Sequence, residues 1–323
     1  MPGPDRAVLT LRLPTPWPVG DVNAYFIDGP EPILVDTGVS SSKSIDALNA
    51  QLSARGRSVA EIRHILVTHG HYDHAGASRR LSRDCAARLH LHERSVLEPR
   101  LEMGTLEAQV ELLVRCGVPR DLFEEAARLF EGEARFADLA AAPHAVTTLR
   151  GGETFSCGGV GFTAIATPGH SPDHLCYLDD RGALYSGDML LPHITPNPLL
   201  YLDPDDGMRR YTSLLDYLGS LDRLEGLSIA ACRPGHGREI PDAKAHLAGT
   251  REFIARRAAQ FQGEIARGPV TPFDLARAVF GALDVTNQYL AISETIAYLD
   301  LLARDGTAAV DWDAAAITAS TRA

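Results

Sequence analysis

Apolar positions come first in short runs and later in helical stripes. Residues 22–36, VNAYFIDGPEPILVD, read as two strands around a Gly-Pro turn. The stretch after them carries Ile45, Leu48 and Leu52 at helical spacing and stops at Gly56. Residues 62–67 form an apolar strand, 75–86 a short helix and 88–92 another strand. Strand signals return at 160–166, 175–178, 183–186 and 228–232. Between these blocks, Leu106, Val110 and Leu113 suit one helix, and Leu122, Ala126, Leu129 and Phe130 a second, with Gly117 and Pro119 between them. This predicts a helical insertion at about 100–142, serving either as packing or as a lid. After about 242 the strands cease. A helix over 243–265, one opened by Thr271-Pro272 and one ending at Gly306 follow, and TAAVDWDAAAIT suits a small wing. The expected division is 1–245 and 246–323.

Composition narrows the field. The chain has 323 residues, 45% hydrophobic and 23% charged, which is ordinary for a globular protein with a core. A formal net charge of −11 argues against a general polyanion-binding surface. No apolar stretch approaches the roughly 20 residues that span a bilayer, and the N-terminus lacks the order of a signal peptide. A cytoplasmic protein without membrane contact is expected. The five cysteines are scattered, so reduced and mostly buried thiols are expected.

One segment stands apart. THGHYDHAG, at 68–76, places His69, His71, Asp73 and His74 directly after a strand. Imidazoles and carboxylates are ligands for zinc and similar divalent ions. Three later segments repeat the placement: His170 in TPGH, Asp188 in SGD and His236 in RPGHG each follow a predicted strand. Ligands delivered from several strand ends onto one rim make a site.

With LVDTG at 34–38, these motifs resemble, in order and spacing, those of the metallo-β-lactamase-fold hydrolases over about 22–240. The resemblance implies an α/β fold, an αββα sandwich, with two divalent metal ions at one edge between the sheets. It implies His69, His71 and His170 on one ion, Asp73, His74 and His236 on the second, and Asp188 bridging. Asp73 would also orient the nucleophile or relay its proton, and Asp36 would support the ligands from outside. Zinc suits this ligand set, and manganese or iron occur in similar cages. Asp at 188, where common zinc β-lactamases have Cys, argues against antibiotic hydrolysis. His71 argues against the flavodiiron branch, which has Glu there.

Other positions carry weaker signals. His90 and His92 share one strand face, and a satisfied pair is expected there rather than a metal site. His64 and His144 read as structural, and His174 as a turn or supporting residue. The stiff stretch MLLPHITPNPLLY leaves Asp188 and offers His193, Asn197 and Tyr201 to a substrate. The C-terminal helices resemble the winged-helix-like unit of some family members, such as the β-lactamase-like protein 2 group. Over 246–323, nine acids outnumber seven arginines, so nucleic acid is an unexpected partner. Packing or homodimerisation fits better. The expected activity is hydrolysis of a small ester, thioester or lactone through a metal-bridging hydroxide, as in glyoxalase-II-like enzymes. A metal-dependent ribonuclease is the alternative. A non-catalytic binding protein and a mononuclear iron oxygenase stand behind it.

Overall fold

The computed structural model of the chain describes residues 7–95, 103–122, 133–138 and 141–322. Two sheets form the centre. The first runs in chain order: β1 (Val8–Leu13), β2 (Val22–Ile27), β3 (Ile33–Val35), β4 (His64–Leu66), β5 (Arg88–His92) and β6 (Ala145–Leu149). Its first three strands are antiparallel, and β3 to β6 run parallel. The parallel half needs crossovers. These are α1 (Ser42–Ser53) between β3 and β4, then the single turn α2 (Tyr72–Ala75) with α3 (Ser78–Cys85) between β4 and β5.

The second sheet contains β7 (Thr154–Cys157), β8 (Val160–Ala166), β9 (Leu175–Asp179), β10 (Ala183–Gly187) and β13 (Ala231–Pro234), in the order 13-10-9-8-7. A short pair, β11 (Leu202–Asp203) and β12 (Arg209–Arg210), lies in the segment leaving β10. Facing sides of the two sheets bury Tyr25, Ile33, Leu66, Phe162, Tyr177 and Tyr185. The outer face of the first sheet packs Phe26, Ile65 and Leu89 on Leu48, Leu52 and Leu81 of α1 and α3. The outer face of the second meets α5 (Ser213–Glu225) and the C-terminal helices. The result is the expected αββα arrangement.

The C-terminal part contains α6 (Ala243–Ile265), α7 (Pro272–Phe280), α8 (Val285–Arg304) and the hairpin β14 (Ala308–Val310) with β15 (Ala319–Thr321). One apolar cluster runs from Leu184 and Cys232 of the second sheet, through Leu214 and Leu221 of α5, to Ile254, Phe261 and Tyr298. Sheet face and terminal helices therefore share one core.

The expected strand at 228–232 sits at 231–234 instead. Its parallel register with β10, Ala183 opposite Ala231, decides where pairing can begin. The expected helix at 75–86 divides at Gly76 and Ala77, whose amides bond to the carbonyls of Tyr72 and Gly38. The last helix begins earlier than its apolar stripe suggests, because Asp284 caps it by accepting from Asn287 N. In the insertion, α4 (Met103–Arg115) is present. Most of the expected second helix lies outside the described residues.

The insertion helix is fastened rather than free. Leu113 and Cys116 pack with Ala276, Ile292 and Ile317. Phe273 N donates to Cys116 O, and Ile317 N to Arg115 O. All five cysteines are buried free thiols. Among the described residues, no helix is long and apolar enough to cross a membrane.

A buried ion pair joins the β12 segment to α8. The Arg210 guanidinium grips both carboxylate oxygens of Asp300 and lies over the Trp312 ring, 4.1 Å from its centroid. The two side chains are 14% and 6% exposed, so loss of one partner strands a buried charge. Arg210→Met is expected to cost about 3–5 kcal/mol in urea unfolding. The double variant with Asp300→Leu should cost less than that single variant. Equal costs would show that the pair's charge is not what matters.

Candidate metal centre

The site is built where strands of both sheets end side by side. β4 leads into the loop carrying His69 and His71, and α2 carries Asp73 and His74. β8 ends just before His170, β10 just before Asp188 and β13 just before His236. The structure thus brings all seven predicted residues together. They form three overlapping groups: His69–His71–His170, His69–His74–Asp188 and Asp73–His74–His236, each with candidate ligand atoms within 4.8 Å of one another.

The ring nitrogens show how the edge is organised. His71 Nδ1 lies 3.0 Å from His69 Nε2 and 3.0 Å from His170 Nε2. Three imidazole nitrogens facing one another at that distance cannot all satisfy each other as donors and acceptors. The outer nitrogens are all engaged. His69 Nδ1 meets the Thr68 hydroxyl at 3.1 Å, His71 Nε2 the Tyr201 hydroxyl at 2.6 Å, and His170 Nδ1 the Asn197 carbonyl at 3.0 Å. His74 Nδ1 meets Asp36 Oδ2 at 2.7 Å, and His236 Nδ1 the Asp21 carbonyl at 2.9 Å. With a proton held on each outer nitrogen, the inner nitrogen of each of the five rings is the one that faces the shared space. Metal-binding histidines are oriented in this way.

The inner atoms lack protein partners of their own. His74 Nε2, His236 Nε2 and Asp188 Oδ1 are buried without a hydrogen bond. Yet His74 Nε2 lies 3.2 Å from Asp188 Oδ1, and His236 Nε2 lies 3.2 Å from Asp73 Oδ2. Orphaned buried polar atoms are costly, and a cation among them removes that cost. The donor set is nitrogen and oxygen throughout, which suits a divalent ion.

Electrostatics divides the rings. Burial, reinforced by neighbouring histidines, holds His69 well below the usual imidazole range. Burial and His170 bring His71 down to about 4. These rings therefore stay neutral. Burial also opposes charge on His74, but Asp188, Asp36 and Asp73 together outweigh it and raise its pKa. His236 is likewise raised, against burial, by Asp188 and Asp73. Burial works against a charged Asp188 too, but His74 and His236 hold its pKa well below the ordinary carboxylate range.

Two glycines make room. A Cβ on Gly235 would collide with Asp188 Oδ1 and stand 2.5 Å from His74 Cε1. Gly187, at φ +47°, would place one 2.8 Å from His174 Nε2. His174 fits its predicted supporting place: its Nε2 accepts from the Asp188 amide, and its ring stacks on His69.

Asp36 supports the edge from behind. It accepts from the Thr68 amide at 2.8 Å, from the Thr68 hydroxyl and from His74. Its own φ is +57°, an uncommon conformation for a residue with a side chain. Several participants escaped the sequence reading. Asp173 accepts from Gly70 N, Ser95 Oγ and Ser171 Oγ, fixing the loop between His69 and His71. Asn23 and Tyr25 of β2 donate to the Pro234 carbonyl and clamp the His236 loop across the sheets. Asp173 lies within the SPDH stretch, but a hydrogen bond spanning 103 positions leaves no local signal.

The three residues offered to a substrate divide. His193 is exposed. Asn197 turns its side chain to the Leu290 carbonyl, and Tyr201 turns its hydroxyl to His71. His90 and His92 face the second sheet, with His92 Nδ1 accepting from Arg94 N.

Known proteins resemble this chain in sequence and fold. The family model described as the metallo-beta-lactamase superfamily matches residues 17–236. The probable metallo-hydrolase YqjP of Bacillus subtilis is 27% identical over 309 residues, spanning 95% of each chain. An atrochrysone carboxyl ACP thioesterase of Aspergillus terreus is 26% identical over 309 residues, covering 90% of this chain and 76% of its own. A metallo-beta-lactamase family protein from Thermus thermophilus matches with a TM-score of 0.82 at 27% identity, over 98% of both chains. On the family match over most of its length and on the whole-chain likeness in fold, this chain belongs to the metallo-beta-lactamase superfamily and is a metal-dependent hydrolase.

Proposed function

We propose that the chain is a dinuclear hydrolase of a small ester, thioester or lactone. His69, His71 and His170 would hold one ion, Asp73, His74 and His236 the other, and Asp188 would serve both. The observation that carries this reading is the set of five inward-facing ring nitrogens whose outer nitrogens are tied down. Zinc is the proposed metal, since imidazole and carboxylate donors suit it. When bound, two such ions acidify a coordinated water and polarise the scissile carbonyl.

The protein's own residues do the rest. Asp73, 14% exposed against 9% for Asp188, is the carboxylate more open to solvent and substrate. It is placed to orient the attacking water and take its proton. Beside His170 lies a narrow hollow lined by Pro196, Pro198, Leu214, Tyr217, Ile254 and Tyr298. Its free volume is about 10 Å³, roughly one water, so it is apolar packing beside His170 that an acyl group would have to open. His193, which is exposed, is the remaining candidate for substrate contact, whereas Asn197 and Tyr201 act by positioning His170 and His71.

A thioesterase among the similar proteins supports the thioester reading. The C-terminal helices, winged-helix-like in order, fit a packing role better than nucleic-acid recognition. Helix α8 buries Ala291, Ile292, Ile296, Leu299 and Leu302, so it has little face left to offer.

Purified protein is expected to hydrolyse at least one member of a thioester, ester and lactone panel, and to lose that activity to a chelator. His69→Ala and Asp188→Ala should each lower kcat/KM about 10³-fold, since metal stabilisation amounts to several kcal/mol. Full activity in either variant, or cleavage of RNA alone, would replace the proposal. Asp36→Asn keeps a side chain that tolerates the left-handed backbone but removes the charge behind His74. It should weaken metal binding about 10–100-fold, measured by chelator competition. Unchanged affinity would show that Asp36 acts on the fold alone.

A further inference from the structure

A second group of metal-capable side chains lies away from the hydrolytic edge. His64 begins β4, His90 lies on β5, and Cys157 ends β7 of the other sheet. One ligand atom from each lies within 4.8 Å of the others. His64 is five residues before His69, on the order of 15 Å away along an extended chain. We propose that His64, His90 and Cys157 form a separate, sulfur-containing site for a borderline-soft divalent ion such as Zn²⁺, tying the two sheets together.

At His64 the geometry repeats a feature of the edge. His64 Nδ1 lies 3.2 Å from His90 Nε2, while its other nitrogen, Nε2, faces Glu31 Oε2 at 3.6 Å. A carboxylate behind an imidazole holds the proton on the outer nitrogen and turns the lone pair inward. His90 is 5% exposed, and its Nδ1 is buried without a hydrogen bond. Two buried histidines packed only for structure would be expected to satisfy both of their nitrogens. Phe155 stacks on the His90 ring at 5.4 Å and 11°, fixing its plane. Cys157 is 4% exposed. The side chain of His64 is 17% exposed, so the group has one wet side through which an ion can enter.

The chemistry balances. Burial, then His64, brings His90 down to about 4, so its lone pair is available at neutral pH. Burial pushes the Cys157 thiol up to about 12. Binding therefore breaks the S–H bond, forms a sulfur–metal bond and releases one proton to solvent. Thiolate and imidazole together favour zinc-like ions over magnesium or calcium, and water would complete four ligands.

The presence of sulfur makes the site testable on its own. Metal-stripped full-length protein is titrated with Co²⁺ as a spectroscopic substitute for Zn²⁺. A near-ultraviolet thiolate-to-cobalt charge-transfer band is expected, saturating at one equivalent of this site. The hydrolytic edge has no sulfur donor, so His69→Ala should keep the band. Cys157→Ser should abolish it, and His64→Ala, at the partly exposed position, should reduce it several-fold even if Cys157→Ser folds poorly. No band in the wild type, or a band undiminished in both Cys157→Ser and His64→Ala, overturns the proposal. Neither result bears on the hydrolase reading, whose own test is loss of turnover.

Discussion

The hydrolytic edge depends on one constraint: each of five imidazoles must hold its proton outward. That orientation is supplied from every side. Asp36 accepts a hydrogen bond from His74, carbonyls of Asn197 and Asp21 accept from His170 and His236, and hydroxyls of Tyr201 and Thr68 face His71 and His69. An outer nitrogen without an acceptor would let its ring flip tautomer and withdraw its lone pair. The supporting residues come from strand ends of the first sheet, from the segment after β10 and from the chain before β2. The sandwich is thus the device that sets five tautomers at once.

Asp36 shows what this arrangement costs locally. It directly follows β3 with a positive φ, a conformation that most residues avoid. The strain is tolerated because its carboxylate meets three donors, two from Thr68 and one from His74. Through Thr68 it also reaches His69. A single buried carboxylate therefore governs rings assigned to both metal positions.

Much of this was legible in the sequence because the ligands follow strand ends. A residue one step beyond a strand has its place set by the sheet, so THGHYDHAG, TPGH, SGD and RPGHG each announce a position on one rim. The fold class followed from the family resemblance that those motifs carry, and the strand and helix periodicity agrees with it. Other features depend on contacts distant in sequence. Asp173 reaches Gly70, and Asn23 reaches Pro234, across more than a hundred positions each. The same holds for His64, His90 and Cys157, whose letters give no signal until the two sheets close over them. Asn197 reads as a substrate residue from its neighbourhood, yet its side chain is drawn to Leu290, whose nearness only the C-terminal helices determine.

The apolar cluster shared between sheet and terminal helices has a consequence for how this enzyme can diversify. Leu214, Tyr217, Ile254 and Tyr298 wall the hollow beside His170, and the same four belong to that cluster. A substitution that reshapes the hollow also alters packing that supports the fold, at a typical cost of about 1–3 kcal/mol for overpacking and more for a cavity. Opening this hollow to a substrate would therefore draw on the stability of the fold. Lineages exploring new substrates would be expected to change exposed positions such as His193 first, and to reach the inner wall only with compensating changes in α6 or α8.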